Sequence, residues 1–432
     1  MATKGNILEN LIPQILETIK PENFIKESLR VREGRLTVLN ETVDIQRFKR
    51  IVVYGYGKAS YNMFKAVTDV LYGWIDEYYI IIDKRIDIPG ETSENILYGG
   101  HPLPDEETVE SSKKLLESAE SLGEDELAIN LISGGGSSIF EVPYHSLSLD
   151  DIIPIWETLM SKGCDINRLN TVRRHLSLIK GGRFAASVYP GYTLSLILSD
   201  VVGDPIHDIA SGPTAPDPTT YSDAYHVIRE FALRDDFKAV KFLLDGVKGR
   251  YPETLKPGDK VFRRTKNIII GGLNHLAIKL GRNLERLGYK MEIAKVDIQG
   301  NVDDVARYIA TYLEMAGKPD TIYIFGGEAY SRVFGEGIGG PNHELTLKLY
   351  NIIRKLGLKA EILCMDTDGV DGNSPSAGGY LNTYSIEINE KTIENYLVKS
   401  DSYTLLKSIG YALETGPTGS NLNSIWIIHL TG

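Results

Sequence analysis

Acidic side chains cluster in the segment Asp366-Thr-Asp368-Gly-Val-Asp371-Gly372, which directly follows an apolar run. Three carboxylates within six residues repel one another unless a cation is present, so the cluster favours a divalent metal ion. The segment does not match an EF-hand loop, because Ala377 stands where that loop needs a glutamate. Mg²⁺ shared with a nucleotide suits Asp366, Asp368 and Asp371 better than a closed calcium site. A plain Asp-Gly turn is the alternative.

Two glycine-rich segments, each after a predicted strand, could bind an anion. The first is Gly55-Tyr-Gly57-Lys58, where a lysine in the first turn of a helix opposes the helix dipole. Lys58 therefore favours a negatively charged ligand over a role in local stability. The second segment combines backbone N–H groups with hydroxyls that suit phosphate or carboxylate. It consists of Ser133, Gly134, Gly135, Gly136, Ser137 and Ser138. A bare structural turn is the alternative for the first segment, and a flexible loop for the second.

Further polar residues could complete such a site. Arg173, Lys180 and Arg183 come from a cationic helical stretch that could equally be a solvated helix face. Asp200 follows a strand and could act as an acid or metal ligand. Two more candidates follow glycine pairs of the second half, and they are Glu328 and Asn342. The histidines, His101 among them, lack metal-binding spacing and favour structural roles.

Short apolar runs rich in β-branched residues must position these loops. The runs are Arg50–Tyr54, Glu77–Ile82, Leu127–Ile132, Thr193–Leu198, Asn267–Ile270, Thr321–Phe325 and Glu361–Met365. Unbroken apolar strands that alternate with helical segments indicate parallel sheets covered on both faces. Ligands of such sheets bind beyond the carboxyl ends of the strands, where the glycines and acids of this sequence lie.

The size and composition of the chain limit its possible functions. With 432 residues it is expected to form two domains. A polar stretch rich in Pro and Gly places their boundary between residues 1–255 and 256–432. The net charge of −11 argues against nucleic-acid and membrane binding. Cys164 and Cys364 have no CxxC partner, and no signal peptide or membrane span is evident, so a cytoplasmic location is expected.

Taken together, these motifs resemble the glycerate kinase family whose carboxyl-terminal half is called the MOFRL domain. Segments in the family's order carry the resemblance over nearly the whole chain, which makes it highly specific. They are Val53–Ala59, Gly100–Asp105, Leu131–Ser138, Asn170–Arg183, Ser199–Asp204, Ser211–Pro218, Gly326–Glu328, Asp366–Gly372 and Thr415–Asn421.

The resemblance implies an α/β protein with a Rossmann-like amino-terminal domain, a second α/β domain of the MOFRL type, and an active site in the cleft between them. It implies ATP and Mg²⁺ as cofactors and transfer of the γ-phosphoryl group to D-glycerate, with 2-phosphoglycerate as the expected product. Lys58 matches the family's active-site lysine, and the loop of Asp366 and Asp368 matches its acidic site. We also expect a homodimer.

One departure concerns the family's usual Gly-Gly-Arg-Asn-Gln-Glu segment, which here is Gly339-Gly-Pro341-Asn342-His343-Glu344. Proline cannot replace a guanidinium, so either another cation (Arg173, Arg183 or Arg332) supplies the charge or substrate handling differs. An NAD(P)H-dependent hydroxypyruvate reductase is the alternative enzyme, and it would leave Lys58 and the aspartate loop unexplained. A non-catalytic binding protein is a third hypothesis.

Overall fold

A computed structural model describes residues 7–86, 88, 90–234 and 236–431. The helices are α1 (Ile7–Thr18), α2 (Pro21–Ser28), α3 (Ser60–Val70), α4 (Glu106–Glu120), α5 (Gly136–Ile139), α6 (Leu149–Ser161), α7 (Ile166–Leu176), α8 (Arg183–Val188), α9 (Tyr221–Glu230), α10 (Lys238–Val247), α11 (Leu273–Arg286), α12 (Val302–Ala316), α13 (Pro341–Lys355), α14 (Glu390–Val398) and α15 (Ser402–Ser408). The strands are β1 (Leu29–Arg32), β2 (Arg35–Val38), β3 (Glu41–Asp44), β4 (Arg50–Tyr56), β5 (Glu77–Asp83), β6 (Ile96–Gly99), β7 (Glu126–Ile132), β8 (Tyr192–Leu198), β9 (Thr265–Gly271), β10 (Lys290–Asn301), β11 (Thr321–Tyr330), β12 (Ala360–Asp366), β13 (Gly378–Asn382) and β14 (Ser424–Leu430).

The first large sheet has the strand order β6-β5-β4-β7-β8-β9. Strands β4 to β8 pair in parallel, and β4, β7 and β8 are buried along nearly their whole length, as their unbroken apolar runs predict. The pairing of Tyr56 with Ile132 aligns the ends of β4 and β7. The loops that follow these two strands therefore start side by side at the carboxyl edge of the sheet.

The second large sheet has the order β10-β11-β14-β12-β13 and is mixed. Strands β10 and β11 are parallel, whereas β14 runs antiparallel to both of its neighbours, β11 and β12. The expectation of purely parallel sheets is therefore wrong for this half, because the last strand of the chain inserts between β11 and β12. Strands β11 and β12 still point the same way, so Glu328 and Asp366 lie at the same edge. A small antiparallel sheet of β1, β2 and β3 was not anticipated.

The chain forms two compact units. One comprises the described residues within 24–198 and 204–270, and the other those within 7–23, 199–203 and 271–431. The first unit ends before Gly271, because β9 lies beside β8 in the first large sheet, and the domain boundary between residues 255 and 256 stays a prediction. The α/β class and the Rossmann-like first half are confirmed. None of the helices that the structure describes is long and apolar enough to span a membrane.

A buried carboxylate fastens α1 to the second large sheet. Glu361 is 2% exposed, and its Oε2 accepts the backbone N–H of Leu8 at 2.7 Å while its Oε1 accepts the hydroxyl of Tyr384 at 2.9 Å. Burial alone would raise the pKa of Glu361. Neighbouring groups lower the pKa by more than burial raises it, so the pKa of Glu361 is below its usual value. The largest lowering effect comes from the nearby His429 imidazole, and the next from the backbone N–H of Leu8.

We expect Glu361→Gln to lower the free energy of unfolding by about 1–3 kcal/mol at neutral pH, because the buried N–H groups lose a charged acceptor. A depressed carboxyl pKa stabilises the fold above the pKa of the unfolded chain, and this stability is lost as the pH falls through the folded pKa. The difference in the free energy of unfolding between Glu361→Gln and the wild type should therefore become smaller as the pH is lowered. Urea unfolding at several pH values measures it, with the exposed Glu314→Gln as control. A pH-independent difference would contradict the assignment.

Candidate active site

The loops after β4 and β7 are hydrogen-bonded to each other. Lys58 N–H donates to the carbonyl of Gly134 at 2.9 Å, and Ala59 N–H donates to Oγ of Ser133 at 3.0 Å. Gly57 has a φ of +121°, and a Cβ at this position would lie 2.4 Å from Oγ of Ser133. Only glycine fits such a close approach. The two predicted anion-binding segments are thus in direct contact. Gly57 and Lys58 lie beside the serine-glycine loop, which comprises Ser133–Ser138.

The serine hydroxyls of this loop are engaged within the protein. Ser133 Oγ accepts from Ala59, and Ser138 donates to the carbonyl of Pro102. Ser137 Oγ lies 3.0 Å from Oγ of Ser211, whose own hydroxyl donates to Asn170, so Ser137 is the donor of that pair. These contacts give the serines a part in shaping the loop, and their direct binding to an anion stays a prediction.

Backbone N–H groups of the same loop are available as hydrogen-bond donors to an anion. Among the described residues, the N–H groups of Gly134, Gly135 and Ser137 have no acceptor. Gly135 has a φ of +81°, and a Cβ added there would come within 3.2 Å of Cγ of Lys58. The lysine stem and the loop thus border the same space. Free N–H groups beside a lysine are suited to phosphate or carboxylate oxygens.

Arg173 carries a buried positive charge that acts on His101, a neighbour of Gly135 in this loop. Its side chain is 6% exposed and its guanidinium packs 5.1 Å from the ring centre of Trp156. Burial lowers the pKa of Arg173 to about 10, while Glu141 acts in the opposite direction, so the group stays charged at neutral pH. Its Nε atom has no hydrogen-bond partner among the described residues. A buried cation with an unused donor is consistent with the predicted role in anion binding.

Lys180 and Arg183 have other partners. Lys180 is fully buried, where it forms an ion pair with Glu141 and donates to the carbonyl of Phe140 at 2.8 Å. Arg183 donates to the backbone carbonyls of Arg174 and Ser177 at 2.8 and 3.0 Å. These contacts give both cations a structural task, and a role of Lys180 or Arg183 in ligand binding stays a prediction.

Asp371, a predicted metal ligand, caps the amino terminus of α13. Its Oδ1 accepts from the backbone and side-chain N–H groups of Asn342, each at 3.1 Å, and its Oδ2 accepts from the backbone N–H of His343 at 2.8 Å and from the His343 ring. Asn342 is also bound to Ser424 and Trp426. Asp371 and Asn342 thus hold the helix in place, and Pro341 occupies its first position, where a proline fits well.

Asp366 and Asp368 remain as the acidic site. Asp366 ends β12, and its carboxyl accepts from Asp368 N–H and from the hydroxyl of Ser424, each at 3.1 Å. Desolvation of the carboxyl and then the neighbouring charge of Asp368 raise the pKa of Asp366 to about 8. The ionised form of Asp366 is therefore disfavoured, and a bound cation would stabilise it.

The acidic site fits a magnesium ion only in part. The described residues contain no group of three His, Cys, Asp or Glu side chains arranged to hold a metal ion. Mg²⁺ in nucleotide enzymes is often held by one or two carboxylates together with water and phosphate oxygens, and Asp366 with Asp368 can supply such a pair. The desolvated carboxyl of Asp366 is the observation that favours this arrangement.

Two further predicted residues lie in the same compact unit as Asp366. The carbonyl of Asp200 accepts from the side chain of Asn423 at 3.0 Å, and Asn423 directly precedes Ser424. Glu328 lies near the end of β11, and the residue is exposed. Desolvation of its carboxyl nevertheless raises the pKa of Glu328. Both acids therefore lie towards the edge of the sheet that carries Asp366.

Sequence reasoning missed several residues that shape these sites. His101 was interpreted as structural, but a Cβ added at Gly135 would lie 3.2 Å from its ring. Ser211 and Asn170 fix the serine loop, and His343 binds Asp371. The segment Gly100–Asp105, which contains His101, was one of those that resemble the family. The position of His101 beside the loop follows from the pairing of β5 with β6, which local sequence does not reveal.

Comparison with known proteins places the chain in a family. It matches the model of the domain of unknown function DUF4147 over residues 7–244 and the model of the MOFRL family over residues 321–424. It is 32% identical over 445 residues to a glycerate 2-kinase of Pyrococcus horikoshii (98% of this chain, 96% of the relative). It is 33% identical over 428 residues to a D-glycerate 2-kinase of Thermotoga maritima, with 96% of each chain covered.

A further relative carries the name of the alternative enzyme. It is a putative hydroxypyruvate reductase of Agrobacterium vitis, 33% identical over 407 residues (91% of this chain, 90% of the relative). The crystal structure of a glycerate kinase from Thermotoga maritima superposes with a TM-score of 0.82 at 30% identity, and 98% of each chain is covered. The resemblance seen in the sequence is confirmed. The chain belongs to the glycerate kinase family, in which a DUF4147 domain is followed by a MOFRL domain.

Proposed function

We propose that this protein transfers the γ-phosphoryl group of ATP to the 2-hydroxyl of D-glycerate and forms 2-phosphoglycerate. The observation that carries the proposal is the joined pair of loops, in which Lys58 and unused N–H groups border one space. Full-length similarity to proteins named glycerate 2-kinase supports the choice of substrate.

The residues of the first compact unit would bind and orient the anionic groups. Lys58 offsets negative charge on the transferred phosphoryl group, and the N–H groups of Gly134 and Gly135 donate to phosphate or carboxylate oxygens. Arg173 adds a fixed positive charge that acts on His101. Because the strands β4 and β7 hold these donors in place, the donors need to reorganise little when negative charge develops on the transferred phosphoryl group.

Asp366 and Asp368 are proposed to hold Mg²⁺, which when bound neutralises charge on the nucleotide phosphates. One of the two carboxylates could instead accept the proton of the attacking hydroxyl. A carboxyl whose pKa is raised by desolvation and by the neighbouring charge of Asp368 is suited to holding a proton or a cation, and Asp366 is that group. The placement of the complete active site between the two domains stays a prediction.

Hydroxypyruvate reduction is the alternative function. Its support is the putative name of one relative, whereas the two relatives that align over a larger share of both chains are named glycerate 2-kinases. A hydride transfer would use neither the charge of Lys58 nor the pair of Asp366 and Asp368. The kinase therefore explains more of the residues.

One assay tests both functions. The protein is incubated with ATP, Mg²⁺ and D-glycerate, ADP release is followed, and the product is identified by ³¹P NMR. We expect stoichiometric ADP and 2-phosphoglycerate, and loss of turnover when EDTA removes the metal ion. Oxidation of NADH with hydroxypyruvate, without ADP release from ATP and glycerate, would overturn the proposal. Formation of 3-phosphoglycerate would correct only the position of transfer.

We propose in addition that the protein acts in the cytoplasm as a homodimer and binds small molecules rather than nucleic acid or membranes. The net charge of −11 and the described helices, none of which fits a membrane span, are consistent with this. Size-exclusion chromatography with light scattering tests the dimer, and a mass near the 48.0 kDa of one chain would contradict it.

A further inference from the structure

His101 and the stem of Lys58 both lie beside Gly135 of the glycine-rich loop Ser133–Ser138. A Cβ added at Gly135 would come within 3.2 Å of Cγ of Lys58, within 3.2 Å of Cδ2 of His101 and within 3.5 Å of its Nε2. The Nε2 edge of the ring thus borders the same open space as the lysine. No residue in the described part of the chain forms a hydrogen bond with this Nε2.

The other ring nitrogen of His101 has a partner that fixes its proton. Nη2 of Arg85 lies 2.9 Å from Nδ1 of His101. A guanidinium can only donate, so Nδ1 must accept, and the single proton of the neutral imidazole must be on Nε2. Arg85 is itself held by Asp83, whose carboxylate accepts from Nε of Arg85 at 2.9 Å. The arrangement Asp83–Arg85–His101 therefore selects one tautomer.

The charges that face the ring also keep it neutral. They belong to Lys58 after β4, Asp83 and Arg85 at the end of β5, and Arg173 of α7. Burial and then the charges of Lys58 and Arg85 lower the pKa of His101 to about 4, and Asp83 opposes them only partly. At neutral pH the ring is thus a hydrogen-bond donor through Nε2 and not a second cation.

We propose that His101 donates a hydrogen bond from Nε2 to an oxyanion of the ligand bound at the glycine-rich loop, beside Lys58. The oxyanion is either the carboxylate of the acceptor or an oxygen of the transferred phosphoryl group, and this deepening of the active site rests on the proposed function. Arg85 acts as a positioning residue, because it keeps the proton on Nε2 without touching the ligand.

Two substitutions separate the donor from the shape of the ring. His101→Phe keeps the ring and removes the N–H, whereas His101→Gln places an amide N–H near the position of Nε2. Because a hydrogen bond to a charged group is lost, we expect kcat/KM of His101→Phe to fall by about 10- to 150-fold. His101→Gln should recover most of it. A rise in the KM for glycerate would identify the carboxylate as the acceptor, and a rise in the KM for ATP the phosphoryl group.

The tautomer is measured independently of turnover. In the full chain with ¹⁵N-labelled histidine, long-range ¹H–¹⁵N NMR should show His101 protonated on Nε2 alone between about pH 6 and 8, and inorganic phosphate should shift this signal. In Arg85→Met the ring should exchange between tautomers and titrate at a higher pH, because a cation is removed and Asp83 remains. The kcat/KM of Arg85→Met should accordingly depend on pH where the ring of His101 titrates, and a merely structural His101 would leave the pH profile of kcat/KM as in the wild type.

The outcomes separate this proposal from the proposed function. A proton on Nδ1 in the wild type, an unchanged kcat/KM in His101→Phe, or an equal loss in folded His101→Gln would overturn the role of His101. Absence of glycerate phosphorylation by the wild type would overturn the proposed function instead, and the phosphate titration would still decide whether Nε2 binds an oxyanion. If His101→Phe fails to fold, His101→Gln and the NMR measurement decide.

Discussion

Replacing Lys58 by alanine is expected to lower kcat by about 10²- to 10³-fold or more while the fold remains intact. The lysine stem borders the space above Gly135, and its charge offsets the negative charge that develops on the phosphoryl group during transfer. No other side chain on the β4 loop can replace it, since the neighbours of Lys58 are Gly57 and Ala59. Initial rates with saturating ATP and glycerate measure the loss.

The matched control for Lys58→Ala is Lys65→Ala, in the following helix α3. Lys65 is exposed, with its amine 5.8 Å from the ring centre of Tyr61. Its removal should leave kcat and KM unchanged. Thermal unfolding of both variants shows whether the fold is kept. Near-normal turnover of folded Lys58→Ala would remove this lysine from the mechanism.

Replacing Lys180 by methionine is expected to lower the free energy of unfolding by about 3–5 kcal/mol, because it leaves the charge of Glu141 buried without its partner. Both side chains of this ion pair are fully buried. Burial lowers the pKa of Lys180, and the attraction of Glu141 opposes this shift. The amine also donates to the carbonyl of Phe140, which ends the short helix of the serine-glycine loop, so kcat should fall as well.

A second substitution tests whether the buried charge is the cause. In Lys180→Met/Glu141→Gln no charge of the pair remains, and we expect the double variant to be more stable than Lys180→Met alone. The surface change Lys114→Met in α4 serves as the control and should be nearly neutral. Urea unfolding measures all three. Equal stability of Lys180→Met and wild type would show that the pair contributes nothing.

Local sequence predicts five of the six strands of the first large sheet, because β4, β5, β7, β8 and β9 each contain a continuous apolar run, whereas the short strand β6 was not anticipated. It also predicts that Lys58 and Ser133–Ser138 lie together, since carboxyl ends of parallel strands share an edge. The direction of β14 could not be predicted, because it depends on which strands it pairs with. Those partners lie about sixty to a hundred residues away in the chain.

The tasks of individual charged residues were harder to predict than the elements that carry them. Lys180 and Arg173 belong to the same cationic stretch of sequence, yet one is paired with Glu141 and the other keeps a donor without a partner among the described residues. Asp371 and Asp366 belong to one acidic loop, yet Asp371 caps α13. A partner that is distant in sequence decides each case, and no local pattern contains it.

The hydrogen bonds between the loops after β4 and β7 have a consequence for the timescale of motion. Lys58 N–H and Ala59 N–H are donors in these bonds, at 2.9 and 3.0 Å, so neither can exchange with solvent unless the two loops separate. We therefore expect both amides to exchange slowly with deuterium in the ligand-free protein, unlike typical loop amides. A ligand would then meet donors whose ordering entropy was already lost during folding, which lowers the entropic cost of binding.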